Sequence, residues 1–257
     1  VKYISAVETS LWSLRRFYHG PITLFSTPEF DSQIDSLAKR FSTQKRVIPH
    51  YNREIATKAR IEPAHDYGLF PHFVNKLLCN LESPYQRTIF LDADTLVEAP
   101  LDPLFDNELA FTMFTPGSEP ILLGGKHHRS ARYRKYFSRL ARQARNLKNI
   151  VTRTFAKNPI LVNSGVYVFS PENPFMQEWL DLAVECAAYG IPDQTALHLA
   201  MANSSEEFHL LPDQWNAKAH RTSSWSSPKK VRHYGSGWEN YPSWRRAYLE
   251  MQRECFQ

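Results

Sequence analysis

The sequence predicts an α/β fold: a single domain on a mostly parallel central sheet with crossover helices. Helical and strand-like apolar patterns alternate through its first half. The run Thr88 to Leu91 is short, apolar and rich in β-branched and aromatic residues, the composition of a strand covered on both faces. It ends on Asp92 and Asp94, at the carboxyl edge where open α/β sheets bind ligands. The 257 residues fit one large domain with an ample core, and no internal repeat or low-complexity linker divides them.

Ala6 to Tyr18 carries Val7, Leu11, Leu14 and Tyr18 at helical spacing and stops at Gly20-Pro21. Ile22 to Phe25 reads as a strand, Pro28 to Phe41 as an amphipathic helix and Val47-Ile48 as a short strand. A strand is expected before Ala6, yet only five residues stand there; either Val1 to Ser5 supplies a stub of it, or the chain as given lacks it. Phe70 to Leu81 predicts a helix with Lys76 near its middle, leading into the central strand. After the turn closed by Pro100, Asp102 and Pro103, Ala110 to Phe114 resembles another strand. Tyr133, Tyr136, Phe137, Leu140, Ala144 and Leu147 recur at helical spacing and predict an amphipathic helix. Ile160 to Val162 leads through Asn163-Ser164-Gly165 into Val166 to Phe169, a strand interrupted by small polar residues, whose glycine permits close backbone approach. Helices follow over Phe175 to Tyr189 and from Pro192-Asp193-Gln194 through about Ala202. Phe208 to Leu211 and Val231 to Tyr234 read as short strands, and the aromatic tail after Tyr241 as weakly helical.

Charge is unevenly spread. From Pro120 to Pro171 there are eleven Lys or Arg and no Asp or Glu, which leaves 20 basic against 26 acidic residues elsewhere. The chain is therefore an acidic body with one basic insert, whose helix has a cationic outer face. An anionic acceptor or an anionic membrane surface suits that insert on electrostatic grounds; a solvated helical face is the plain alternative. No nucleic acid is expected, because the acidic remainder repels it and no recognition motif is present. Negative mean hydropathy, no apolar run of roughly 18 residues and no basic-then-apolar leader lead to the expectation of a cytoplasmic protein, at most peripheral to a membrane. Cys79, Cys186 and Cys255 form no C-x-x-C pair and leave an odd one over, which fits a reducing interior.

Two carboxylates one residue apart, Asp92 and Asp94, suit a hard divalent cation that also bridges phosphate oxygens. Like charges so close repel, so a cation or basic partner is nearly required if they are buried. D-x-D also occurs by chance, as a turn or a helix cap. The run is similar to the nucleophile loop of haloacid-dehalogenase-type phosphatases, but that loop needs a spacer before its Thr. Here Thr95 follows directly, and no later G-D-x-x-x-D pair appears.

Four ordered stretches carry a closer resemblance: Asn75-Lys76-Leu77-Leu78-Cys79 with Phe90 to Val97, Asn163 to Pro171, Asp193-Gln194, and Leu211-Pro212 with Trp215-Asn216. Together they resemble the retaining glycosyltransferases of family 8, the group of glycogenin and the bacterial lipopolysaccharide galactosyl- and glucosyltransferases. The resemblance implies a GT-A nucleotide-diphospho-sugar transferase fold, one Rossmann-like domain over residues 1–257 with residues 115–158 as a basic helical insert on the acceptor side. It implies a metal-dependent retaining hexosyltransferase, with Mn2+ or Mg2+, a nucleotide-sugar donor (most often a UDP-sugar) and a carbohydrate, glycolipid or protein acceptor. The alternative is a nucleotide-sugar-binding protein of the same fold without turnover.

By the same resemblance, Asp92, Asp94 and His233 hold the metal, with Asp92 also facing the donor ribose. Lys76 contacts the donor near diphosphate and sugar. Asn163, Asp193 and Gln194 surround the transferred sugar, with Asp193 and Gln194 as the catalytic pair. Ser164, Asn216 and Gly235 lie on the donor side, and Tyr3 stands where the family places a residue near the base. The family's H-x-x-G-x-x-K-P-W is replaced here by His233-Tyr234-Gly235-Ser236-Gly237-Trp238-Glu239-Asn240-Tyr241. The lysine is gone; its phosphate contact is either lost or supplied by Arg232, Lys230 or backbone amides of the glycine turn.

Overall fold

The computed structural model describes residues 2–48, 70–114, 120–218, 228–235 and 240–255. It opens with helix α1 (Lys2–Arg15), so Lys2 to Ser5, where a strand stub was expected, form the first helical turn. The helical stripe simply extends upstream: Ile4 and Val7 join Leu11, Ile34 and Leu37 in one apolar cluster. Strand β1 (Thr23–Ser26), helix α2 (Asp31–Arg40) and strand β2 (Gln44–Val47) then make a parallel βαβ unit.

Helix α3 (Phe70–Leu81) leads to β3 (Thr88–Leu91), and a tight turn to β4 (Thr95–Val97). After β5 (Ala110–Met113) come the insert helices α4 (His128–Gln143) and α5 (Lys148–Lys157), then β6 (Val162–Phe169). Helices α6 (Pro174–Ala187) and α7 (Asp193–Asn203) follow, then β7 (His209–Leu211), β8 (Ala217–Lys218), β9 (Val231–His233) and α8 (Pro242–Cys255). The main sheet runs β3-β6-β5-β7, and a second runs β4-β9-β8.

Both sheets are mixed. Pairings β1/β2, β5/β7 and β8/β9 are parallel, but β3/β6, β5/β6 and β4/β9 are antiparallel. The expected mostly parallel sheet is altered by the insert. A single crossover helix returns the chain parallel, whereas α4 and α5 form a helical excursion closed at its stem. There Leu122 bridges Ile160 in antiparallel fashion, Leu161 N donates to Ile121 O (2.7 Å), and Phe114 N donates to Leu161 O (2.9 Å). The chain re-enters beside β5 and runs back along it.

Strand β6 is buried along its whole length. Tyr167 stacks on Phe90 and Phe111, and Trp179 packs edge-on against both Tyr167 and Phe111. The insert helices belong to this core through Tyr133, Phe137, Leu140, Leu147 and Val151, while Arg132, Lys135, Arg142, Arg145 and Lys148 stay exposed on the outside. Residues 115–119 lie outside the described part of the insert. The tail is firmly helical, because Trp244 is buried against Leu96 and Tyr234, and Trp12 Nε1 donates to Glu254 Oε2 (2.8 Å) from α1.

Between the β1/β2 unit and β3 lies an apolar cavity of about 630 Å³, lined by α1, β1, α3 and β3, with a polar end at Asn75, Lys76 and Asp92. Among the described residues no helix is long and apolar enough to cross a membrane. Cys79, half-buried on the cavity wall, and Cys186, in the core, are free thiols, and burial pushes Cys79 up to about 12 and Cys186 further, so both are thiols and not reactive thiolates.

Candidate active site

The turn after β3 is built to present two acids. Thr95 donates its N–H (3.2 Å) and its hydroxyl (2.7 Å) to Asp92 O, closing Asp92-Ala93-Asp94-Thr95. Asp92 N donates to Gly165 O (2.9 Å), and Tyr234 N donates to Asp94 O (3.1 Å), so the turn is tied to both sheets. His233 arrives on β9 as the register partner of Thr95. Its Nε2 lies 3.3 Å from Asp94 Oδ1 and 3.5 Å from Asp92 Oδ2, and one ligand atom from each of the three residues lies within 4.8 Å of the others.

Burial pushes the Asp94 carboxyl up, but the hydrogen bond and charge of His233, with Lys218 nearby, more than offset it, so the carboxyl sits below its usual range. An ionised carboxylate, a second carboxylate and one imidazole nitrogen form a donor set that fits Mn2+ or Mg2+. Gly165 makes room for this cluster. A methyl built on it would overlap the His233 ring and stand 2.9 Å from Asp92 Oδ2.

The polar interruption foreseen in β6 is a bulge. β5 pairs Phe111 with Tyr167 but Thr112 with Asn163, so Ser164 to Val166 are looped out of that ladder. Asn163 Oδ1 accepts from Gly165 N (2.8 Å), and Thr112 Oγ1 donates to Asn163 O (3.2 Å) and Val166 O (3.1 Å). The bulge turns Ser164 toward Lys76 and Gln194. Lys76 Nζ donates to Asp92 Oδ1 (3.0 Å) and to Ser164 O, with Phe90 beneath it at 4.7 Å. Ser164 N lies 3.4 Å from Gln194 Oε1, and Ser164 Oγ lies 3.5 Å from Asp193 Oδ2. Asp193 opens α7; burial raises its carboxyl, Asp92 adds to the rise, and Lys76 opposes it.

Superposition gives the arrangement its context. No protein-family model and no curated protein matches the sequence. Among solved structures, the galactosyltransferase LgtC in complex with donor and acceptor sugar analogs is similar, with a TM-score of 0.63 and 14% identity over 98% of this chain and 92% of that one. An active-site glutamine-to-glutamate mutant of LgtC gives 0.60 at 13% identity, again over 98% and 92%. This chain has a glycosyltransferase fold. The apo form of the bifunctional glycosyltransferase WbbM matches with a TM-score of 0.58 and 14% identity over 99% of this chain, which spans 49% of that one.

Within this GT-A framework, Lys76, Asp92, Asp94, Ser164, Asp193, Gln194 and His233 come together. Asn216 stands behind them: its Nδ2 donates to Thr112 Oγ1 (2.9 Å) and its Oδ1 is 2.8 Å from His233 Nδ1, so it orients the imidazole. Gly235 follows β9 in the left-handed region (φ +71°) with open space around it. Tyr3 belongs to α1, but its side chain lies outside the described residues, as do residues 236–239 of the glycine turn.

Neither side chain expected to replace the missing lysine faces the cluster. Arg232 pairs with Glu98 (2.7 Å), because alternation along β9 turns it away from His233, and Lys230 stacks on Trp215 at 4.2 Å. Beside Lys76, a second cation at the cluster is Lys218, the register partner of His233 across β8/β9, with Nζ 3.0 Å from His233 Nδ1. Burial pulls Lys218 down to about 8, against the pull of Asp92 and Asp94. Tyr133 was visible only as an apolar stripe position; its hydroxyl accepts from Gln194 Nε2, which makes the insert a wall of the site. The polar tip of a tyrosine on a buried stripe is the signal that could have marked it.

One turn behind Gln194, His198 is fully buried. Its Nε2 accepts from Val162 N (3.0 Å), which leaves the proton on Nδ1 for Gln194 O (2.7 Å). Burial lowers its pKa to about 4. The unfolded chain therefore binds this proton at higher pH than the folded one, and stability falls as pH drops from about 6.5 toward 4, by about 3 kcal/mol from this group. Chemical denaturation across that window should show a shallower pH dependence in His198→Gln than in the parent; equal slopes would remove His198 as the cause.

Proposed function

We propose that the protein is a metal-dependent retaining hexosyltransferase that takes its sugar from a nucleotide-sugar donor of the UDP-sugar kind. What supports this is the meeting of Asp92, Asp94 and His233 at the carboxyl edge of β3 with Lys76, Asp193 and Gln194 along one side. Asp92, Asp94 and His233 would hold Mn2+ or Mg2+. When bound, the ion would neutralise charge on the departing nucleoside diphosphate. The nucleoside would enter the polar end of the cavity at Asn75, Lys76 and Asp92.

Lys76 is anchored by Asp92 and Ser164 O, which suits a cation fixed beside the donor's diphosphate and sugar. Gln194 is uncharged and cannot accept a proton as a base. At the reactive face of the sugar it suits a retaining reaction in which the leaving diphosphate helps deprotonate the acceptor. LgtC likewise has a glutamine in its active site. Asn163 would stand beside the transferred sugar, while its Oδ1 holds the bulge that carries Ser164. The acceptor would approach past α4, whose Tyr133 touches Gln194 and whose Arg132 and Lys135 face solvent, an arrangement suited to an anionic carbohydrate or glycolipid.

The test is incubation with a panel of UDP-sugars and Mn2+, following sugar release or transfer by NMR, which also reads the anomeric configuration of the product. Sugar release that stops on chelation and retains configuration supports the proposal; release indifferent to chelator counts against the metal, and inverted product against retention. A nucleotide-sugar-binding protein without turnover is the second reading, favoured by the missing lysine of the C-terminal motif. Calorimetric UDP binding with no release from any donor would select it.

A further inference from the structure

We propose that Lys218 is a donor-phosphate ligand, its ammonium taking a phosphate oxygen of the metal-bound nucleoside diphosphate. The inference deepens the proposed function and rests on its assignment of Asp92, Asp94 and His233 as cation ligands. Its starting point is a conflict at one atom. His233 Nδ1 has Asn216 Oδ1 at 2.8 Å and Lys218 Nζ at 3.0 Å. A single ring nitrogen either donates to the first or accepts from the second; it cannot do both.

Asn216 cannot resolve the conflict by flipping. The Thr112 hydroxyl proton is directed at the Asn163 and Val166 carbonyls, so Thr112 Oγ1 accepts from Asn216 Nδ2 and the amide oxygen is the end that faces the imidazole. When the Nε2 lone pair, which points at Asp92 and Asp94, is given to a cation, the ring proton stands on Nδ1 and goes to Asn216 Oδ1. Lys218 then faces an N–H. His233 is its hydrogen-bond partner among the described residues, so the metal-loaded arrangement leaves a half-buried ammonium without a protein acceptor there. Such a group needs an anion.

Position and charge say which anion. Lys218 is in register with His233 and within electrostatic reach of Asp92, Asp94, Lys76 and Arg129. Even with Asp193 counted beside Asp92 and Asp94, the ammonium groups of Lys76 and Lys218 and a divalent ion leave the site with an excess of positive charge, which a diphosphate matches and a neutral sugar does not. The His233 ring stands between an ion held at its Nε2 and the Lys218 ammonium at its Nδ1, so ion and ammonium would take different oxygens of one diphosphate, a group long enough to span them. Lys230, just before β9, is instead stacked on Trp215.

Calorimetry with UDP and with uridine, each in the presence of Mn2+, tests the proposal on the parent chain, Lys218→Met, Lys218→Gln and Lys218→Arg. Methionine matches the aliphatic stem, so the fold is expected to hold; glutamine is the second variant should it not. UDP affinity should fall on the order of tenfold or more in the methionine and glutamine variants, with uridine affinity unchanged, and arginine should recover part of the loss. Undiminished UDP binding in Lys218→Met would overturn the assignment of Lys218 alone, and equal loss of UDP and uridine would make it a structural residue. A parent chain that binds no UDP with Mn2+ overturns the reading of the site itself.

Discussion

Replacing Asp94 by asparagine is expected to abolish metal-dependent sugar transfer, lowering kcat/KM about 10³-fold, the size of loss seen when one preorganised contact to developing negative charge is removed. The substitution is isosteric, and the backbone contacts that hold the turn, Tyr234 N on Asp94 O and Thr95 on Asp92 O, do not involve the side chain. What changes is the donor set. The amide offers a neutral oxygen or an NH2 group to the position facing His233 Nε2 at 3.3 Å, in place of a carboxylate that its surroundings keep ionised. Mn2+ affinity, measured by calorimetry or electron paramagnetic resonance, should fall together with transfer, while circular dichroism stays unchanged. Transfer within tenfold of the parent chain would show that this carboxylate does not hold the metal.

Where the sequence was a sufficient guide, the chemistry of a residue and its place in a short segment were the same fact. Asp92 and Asp94 follow an apolar strand and Asp193 opens a helix, each visible in a window of a few residues and each found there; Gly165, expected to interrupt a strand, lies within one continuous strand whose register with β5 slips beside it. Lys218 and Tyr133 were not legible, because their roles come from pairing and packing across distance. Lys218 matters through its register with His233, fifteen positions on, and Tyr133 through the docking of α4 on α7. Strand direction was hidden for the same reason. Apolar runs are alike whether neighbours run with or against them, and only the closed stem between Phe114 and Ile160 makes β6 antiparallel to β5. The terminal helices were legible in part: α1 was expected from Ala6 and begins at Lys2, and the tail read as only weakly helical because the stability of α8 is tertiary, resting on Trp244 under Tyr234 and on the bond from Trp12 to Glu254.

That dependence on close approach is sharpest at Gly165, and Gly165→Ala should show it. Its backbone is not in the left-handed region, so any effect of alanine is steric and not conformational. The methyl would occupy the volume of the His233 ring and press on Asp92 Oδ2. Neither side can yield easily. Gly165 is fixed by Asn163 Oδ1 on its N–H and by Asp92 N on its carbonyl, and His233 is backed by Asn216 and by its pairing with Thr95. Overpacking of this kind costs about 1–3 kcal/mol, which for a chain of this size lowers Tm by several degrees. The larger effect is expected on the metal. Displacing the imidazole disturbs one ligand directly and a second by contact, so Mn2+ affinity should fall by about 10–100-fold, the range lost when a ligand's orientation is disturbed. Transfer should then recover in part at high Mn2+, which separates a weakened site from a lost one. A Gly165→Ala protein that binds Mn2+ as tightly as the parent would mean that His233 is free to leave the cluster without consequence, and that the ion, if bound, is held by the two aspartates alone.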